Sequence, residues 1–122
     1  MRLNDVEFPY QTPIDGYGRG GFRIGGYAHA GGLLILPARV TQWSPAETLT
    51  ADCFAEVIAG AEHIDLVLIG MGAEIAPLPA AARAALEAVD AAPEIMATPA
   101  ACRTYNVLIA EGRRVAAALR PV

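Results

Sequence analysis

Residues 64–69 read Ile-Asp-Leu-Val-Leu-Ile and run straight into Gly70, Met71 and Gly72, and this stretch most constrains the fold. A short, nearly unbroken apolar run closed by glycines is too short for a helix of ordinary length. It predicts a central strand, with Asp65 at its entrance and the glycines at its exit. Residues 33–36, Leu-Leu-Ile-Leu between Gly32 and Pro37, show the same pattern. Strands without alternation are buried on both faces, so both faces of their sheet need a covering layer.

The covering layers are visible as helical patterns. Thr50 is a good N-cap for a helix over 51–59, with Asp52 at the positive end of its dipole and Phe54, Val57, Ile58 and Ala61 as its apolar stripe. Gly60 stops it. Pro79, as first helical residue, opens an alanine-rich helix to about Val89, with Leu78, Ala82, Ala85, Leu86 and Val89 on one side. A short strand over 94–97 leads to Thr98 as N-cap and Pro99 as first helical residue of a helix to Glu111, which Gly112 ends. Its stripe is Ala101, Cys102, Tyr105, Leu108 and Ile109. Further strands are expected over 21–24, 39–43 and 115–119. Eight of the twelve glycines fall before residue 33, a composition suited to short strands and turns. The alternation of strand and helix predicts a mixed sheet flanked by helices.

The chain's 122 residues, with no linker or internal repeat, suit one domain over 1–122. Its net charge of −4, with nine scattered arginines and no lysine, offers no basic stripe for a nucleic-acid backbone. The longest uncharged stretch, 24–38, is too short and too broken by glycine, His29 and Pro37 to enter a membrane. Asp5 and Glu7 follow Arg2 with no apolar region behind them, which argues against a secretory leader. A cytoplasmic location is the expectation. Cys53 and Cys102 lie far apart and read as small hydrophobes on two helices, with a disulfide left open.

Few residues suit chemistry. Gly16, Gly18 and Gly21 match the letters of a dinucleotide fingerprint, but strand rather than helix follows, so turn glycines are expected. Ser44 is the only serine and lies outside a nucleophile elbow, and the absence of lysine removes the P-loop and Schiff-base chemistry. His29 and His63 stand apart from metal-ligand partners and read as surface or loop histidines, so no metal, cofactor or catalytic residue is expected. Cys102, in the first turn of its helix, is the only nucleophile on offer, and its place on the apolar stripe favours a structural thiol.

Two surfaces remain as sites. The loop Gly70, Met71, Gly72 leaves the carboxyl end of a buried strand, where α/β sheets tend to bind ligands, and Asn106 and Arg113 are expected to converge on it, Arg113 as partner for an anion. The alternative is a glycine pair that only permits a tight strand exit. Trp43, at a strand end, is the candidate partner-contact residue, with a core position as its alternative.

The carboxyl-terminal segment Glu94, Met96, Thr98, Ala101, Thr104, Tyr105, Asn106, Leu108, Glu111, Gly112, Arg113, Val115, Ala117, Ala118 and Leu119 resembles the Mth-type domain family of unknown function. The likeness extends through Ile14, Gly21, Phe22, Gly32, Pro37, Trp43 and Gly70, Met71 and Gly72. It implies a three-layer α/β/α domain around a mixed sheet and no established catalysis. Members with assigned roles are assembly or regulatory factors, including one for respiratory complex I. The first twelve residues are neither arginine-rich nor free of acids, unlike a mitochondrial presequence, so a bacterial-type member is expected. The resulting expectation is a non-catalytic binding protein with a protein partner, self-association remaining open. The alternative is small-molecule or anion binding, with or without catalysis, at the Gly70 loop.

Overall fold

The computed structural model describes residues 6–122. Arg2 and Asp5, used above in the argument about a leader, lie outside them. In chain order the elements are β1 (Val6–Glu7), β2 (Ile14–Gly18), β3 (Gly21–Ile24), β4 (Tyr27–Ala30), β5 (Leu33–Leu36), β6 (Arg39–Gln42), α1 (Ala55–Ala59), β7 (Leu66–Gly70), α2 (Ala80–Glu87), β8 (Ala92–Met96), α3 (Thr98–Ala110) and β9 (Val115–Leu119). Short 3-10 turns, Ala51–Phe54 and Ala61–His63, flank α1.

Six strands form one sheet in the order β1-β6-β5-β9-β7-β8. β7 is parallel to β8 and β9, and the pairs from β9 outward to β1 are antiparallel, so the sheet is mixed. The chain steps from β7 outward to β8 through α2, then back across β7 to β9 through α3. Right-handed crossovers in opposite directions place their helices on opposite faces. That is the arrangement found. Leu66, Leu68, Val115, Ala117 and Leu119 join Cys102 and Tyr105 of α3 in one core. Val67, Ile69, Ala116 and Ala118 join Val57 of α1 and Ala82 and Leu86 of α2 in the other. The alternating side chains of each central strand thus feed two separate cores, which is why these strands carry no polar face. The architecture is three-layer α/β/α.

Several boundaries differ from the sequence reading. The first helix is split: the tighter 3-10 turn comes first and sets Phe54, with φ −112°, into the core against Trp43. Pro79 lies just outside α2 as its N-cap, because its ψ of 141° is extended. β8 starts two residues early and runs through Pro93, which an edge strand tolerates because no partner needs its missing N–H. α3 begins at Thr98 itself, whose hydroxyl bonds elsewhere and does not cap the helix.

The larger difference is a second sheet, β2-β3-β4, of which the sequence reading placed only β3. Arg19 and Gly20, with φ of 52° and 77°, make the β2–β3 turn between the paired Gly18 and Gly21, so the fingerprint glycines belong to a hairpin. Gly25 and Gly26, with φ of 56° and 85°, make the two-residue turn between β3 and β4. That positive-φ pair is the turn whose twist suits a tight hairpin. Ile14, Phe22 and Ile24 point from this sheet into the core beneath α3.

His29 corrects the expectation of a surface histidine. It is 2% exposed, lies opposite Phe22, and its Nε2 bonds the Gly32 carbonyl at 2.8 Å. The strand alternation that buries Phe22 buries its cross-strand partner as well. His63 is exposed beside Glu62.

Candidate functional site

The glycine loop at the end of β7 spends its polar groups on its own closure. The Met71 and Gly72 amides donate to the Met96 carbonyl at 2.9 Å and the Thr98 hydroxyl at 3.0 Å. The Gly72 carbonyl accepts from Thr98 N, and the Gly70 carbonyl from Arg120 N. Thr98, fully buried, donates its hydroxyl to the Arg120 carbonyl at 2.7 Å. A Cβ on Gly70 would stand 2.8 Å from Thr98 Oγ1 and 2.9 Å from Leu119 Cδ2, so glycine lets α3 press directly on the strand end. Gly72 has φ +103°. These groups form a locked joint between β7, α3 and β9.

Asn106 and Arg113 do not converge on that joint. Asn106 lies two turns along α3, about 12 Å from Thr98. Its amide bonds both backbone groups of Ile14, accepting from N at 2.8 Å and donating to O at 2.9 Å, as a neighbouring strand would. Arg113 precedes β9, whose first residue pairs with Leu66, at the opposite end of β7 from Gly70. Four residues of strand, about 13 Å, separate the two ends. Arg113 instead borders a cleft of about 320 Å³ between α3 and edge strand β8, with Asp65, Glu94, Met96 and Leu108. Beside it Arg114 donates to Asp65 at 2.8 Å, and that hydrogen bond holds the Asp65 carboxyl below its ordinary range.

Trp43 is 5% exposed, stacks at a tilt on Phe54, and donates its indole N–H to the Cys53 carbonyl at 2.9 Å. A ring so enclosed is core and offers no surface to a partner. Cys102 is buried, and burial pushes its thiol up to about 11, so at neutral pH it is a protonated core residue. Both cysteines are free. Among the described residues no group of three His, Cys, Asp or Glu side chains is gathered as for a metal, and no helix is long and apolar enough to cross a membrane.

Among the large apolar side chains that face solvent, Ile75 after the glycine loop and Val107 of α3 stand singly, whereas three tyrosines gather in the amino-terminal part. Tyr10, in the bend before β2, is 70% exposed, and Tyr17 of β2 and Tyr27 of β4 are about two-fifths exposed. Tyr27 meets Phe8 edge to face at 6.3 Å, and Phe8 covers the Gly25 turn. The Tyr17 hydroxyl accepts from Arg103 of α3. Gln11, between them, clamps the start of β9 by donating to the Arg113 carbonyl and accepting from Val115 N. Tyr105, its hydroxyl on the Thr12 carbonyl at 3.1 Å, pins the same segment to α3. The tyrosines therefore stand on a tethered platform. Sequence reasoning placed the aromatics in this region and missed the tethering, because Gln11 and Asn106 act across about a hundred residues of chain.

Two covering layers around one mixed sheet, with a small hairpin sheet added beside α3, define a three-layer α/β/α protein of the Mth-type class. The chain belongs to the family described as protein of unknown function DUF498/DUF598, which matches residues 14–120. An uncharacterized protein of Rhodobacter capsulatus is 49% identical over all of this chain and 94% of its own length. The rat NADH dehydrogenase [ubiquinone] 1 alpha subcomplex assembly factor 3 is 35% identical over 99% of this chain, which spans 66% of that protein. Among solved structures, an outer membrane protein of Bartonella henselae superposes with a TM-score of 0.88 at 37% identity, covering 94% of this chain and 98% of its own. A Mth938-like domain of Bordetella pertussis gives 0.79 at 25% identity, covering 99% and 92%. The family read from the carboxyl-terminal signature is therefore the family found.

Proposed function

We propose that this chain is a non-catalytic cytoplasmic binding protein that works through protein–protein contacts, in the manner of an assembly factor for respiratory NADH dehydrogenase. The observation that carries the reading is the exposure of Tyr10, Tyr17 and Tyr27 on a platform tied down by Gln11, Tyr105 and Asn106. Exposed tyrosines on a rigid support supply large contact area at small entropic loss, and such residues are enriched at binding hot spots. The likeness to an assembly factor over nearly the whole chain supports the choice of partner.

The test is deletion of the gene in its own organism, followed by native electrophoresis of the membranes with in-gel NADH oxidation. Loss of the assembled dehydrogenase, restored by the wild-type chain and less well by a Tyr10→Ser, Tyr27→Ser double variant, is the expected result. Undiminished assembled dehydrogenase in the deletion strain overturns the proposal.

A further inference from the structure

We infer that the outer edge of β4 is a docking site for an extended, acidic segment of a partner protein, added as a fourth strand to the β2-β3-β4 sheet. The inference rests on the protein-binding reading above and names its surface and the chemistry of its partner. With the two-residue turn at Gly25 and Gly26, Ile24 and Tyr27 form a hydrogen-bonded pair, and bonded and non-bonded pairs then alternate along the hairpin. Phe22 and His29 are bonded, and Gly31 N donates to Gly20 O at 2.8 Å, in step with that alternation. Ala28 and Ala30 are consequently the non-bonded positions, and their N–H and C=O groups point away from β3.

Among the described residues β4 pairs with β3 alone. Sheet edges in soluble proteins are ordinarily guarded by charge, proline or a bulge. β4 reads Tyr-Ala-His-Ala and has none of these, and Ala28 and Ala30 are both exposed. It is also held in place, because its inward His29 is bonded to Gly32.

Charge decides what such an edge would accept. Above Ala28 and Ala30 lies a concavity of about 560 Å³, floored also by Gly16, Gly18 and Gly21 and bordered by Arg19 and Arg23. Among the described residues the arginine–carboxylate pairs engage Arg39, Arg83 and Arg114, leaving Arg19 and Arg23 with no acid. Arg23 lies directly opposite Ala28. An added strand would lie two strand spacings, about 10 Å, from β3, and the small alanines leave the intervening path clear for the guanidinium. Outward side chains of that strand fold over the concavity, where carboxylates meet unpaired arginine. Main-chain pairing supplies the hold and the arginines supply the selection, as in other cases of strand addition.

The test titrates the isotopically labelled full chain with an octapeptide of alternating valine and glutamate, with a valine–lysine octapeptide as counterpart, followed by amide NMR. The Ala28 and Ala30 amides are expected to shift and gain protection with the acidic peptide, and the lysine peptide to bind at least roughly tenfold more weakly. Arg23→Glu is expected to reverse that preference without disturbing the fold, being an exposed position. Ala30→Pro removes one outward donor and is expected to weaken binding roughly tenfold. Equal binding of the two peptides, or shifts confined to other surfaces, overturns the inference. So does a concentration-dependent dimer abolished by Ala30→Pro, which would assign the edge to a second copy. If dehydrogenase assembly still depends on the gene while β4 ignores the peptide, the docking surface lies elsewhere and the function stands; if that dependence is absent, the function falls whatever the peptide does.

Discussion

Replacing Thr98 with valine removes one hydroxyl and keeps the shape and β-branching of the side chain, so it isolates the polar lock at the end of β7. Two hydrogen bonds disappear, the one accepted from Gly72 N at 3.0 Å and the one donated to the Arg120 carbonyl at 2.7 Å. Thr98 and Gly72 are buried, so water does not readily replace the lost partner. A buried group left without a partner costs about 1–3 kcal/mol, and two such groups, one of them partly solvated, give about 2–4 kcal/mol. Against a total stability of about 5–15 kcal/mol this is a large fraction. For a chain of this size each kcal/mol lowers the melting temperature by about 3–6 °C, so a fall of roughly 6–24 °C is expected by calorimetry. Thr98→Ser keeps the hydroxyl and loses one methyl, at about 1 kcal/mol. Its melting temperature should therefore sit much nearer the wild type. A valine variant within about 0.5 kcal/mol of wild type, or a serine variant as unstable as the valine one, refutes the lock.

Other consequences follow from the same contacts. Gly70→Ala drives a methyl into Thr98 and Leu119 and is expected to cost about 1–3 kcal/mol in urea unfolding, with the denaturant slope unchanged. Asn106→Asp removes the donor to the Ile14 carbonyl and sets a carboxylate against it. Destabilisation of about 1–3 kcal/mol is expected, with faster amide exchange through β2. The Cys102 thiol, raised to about 11 in the folded chain from an ordinary 9.0, favours the folded state's proton. Stability is unaffected below pH 9 and is lost as pH rises from 9 through 11, by up to about 3 kcal/mol. Cys102→Ala should flatten that part of the alkaline unfolding curve, and burial raises Tyr105 in the same direction, leaving a residual slope.

The sequence by itself determined the strands and helices whose signals are local. The runs at 33–36 and 66–69 are strands because nothing polar interrupts them, Ile64 and Asp65 staying outside β7, and 115–119 matches β9 residue for residue. The stripe Ala101, Cys102, Tyr105, Leu108 and Ile109 is the face α3 turns to its core, since helical spacing fixes which side chains share a side. The family was likewise legible, because its signature is a spacing of residues along one segment. What the tertiary structure alone decided are relations between distant segments. Neither β2 nor β4 carries a long apolar run, and each exists because pairing through β3 satisfies its backbone. His29 is buried because of what lies opposite it, and Trp43 because Phe54 turns inward beside it. Whether Gly70, Asn106 and Arg113 shared a site depended on strand direction and helix length, quantities that enter only when the elements are packed. Asn106 went to Ile14, Arg113 to the far end of the sheet, and the glycines to Thr98. The exposed tyrosines and the bare edge of β4 are the surface left once those internal pairings were made.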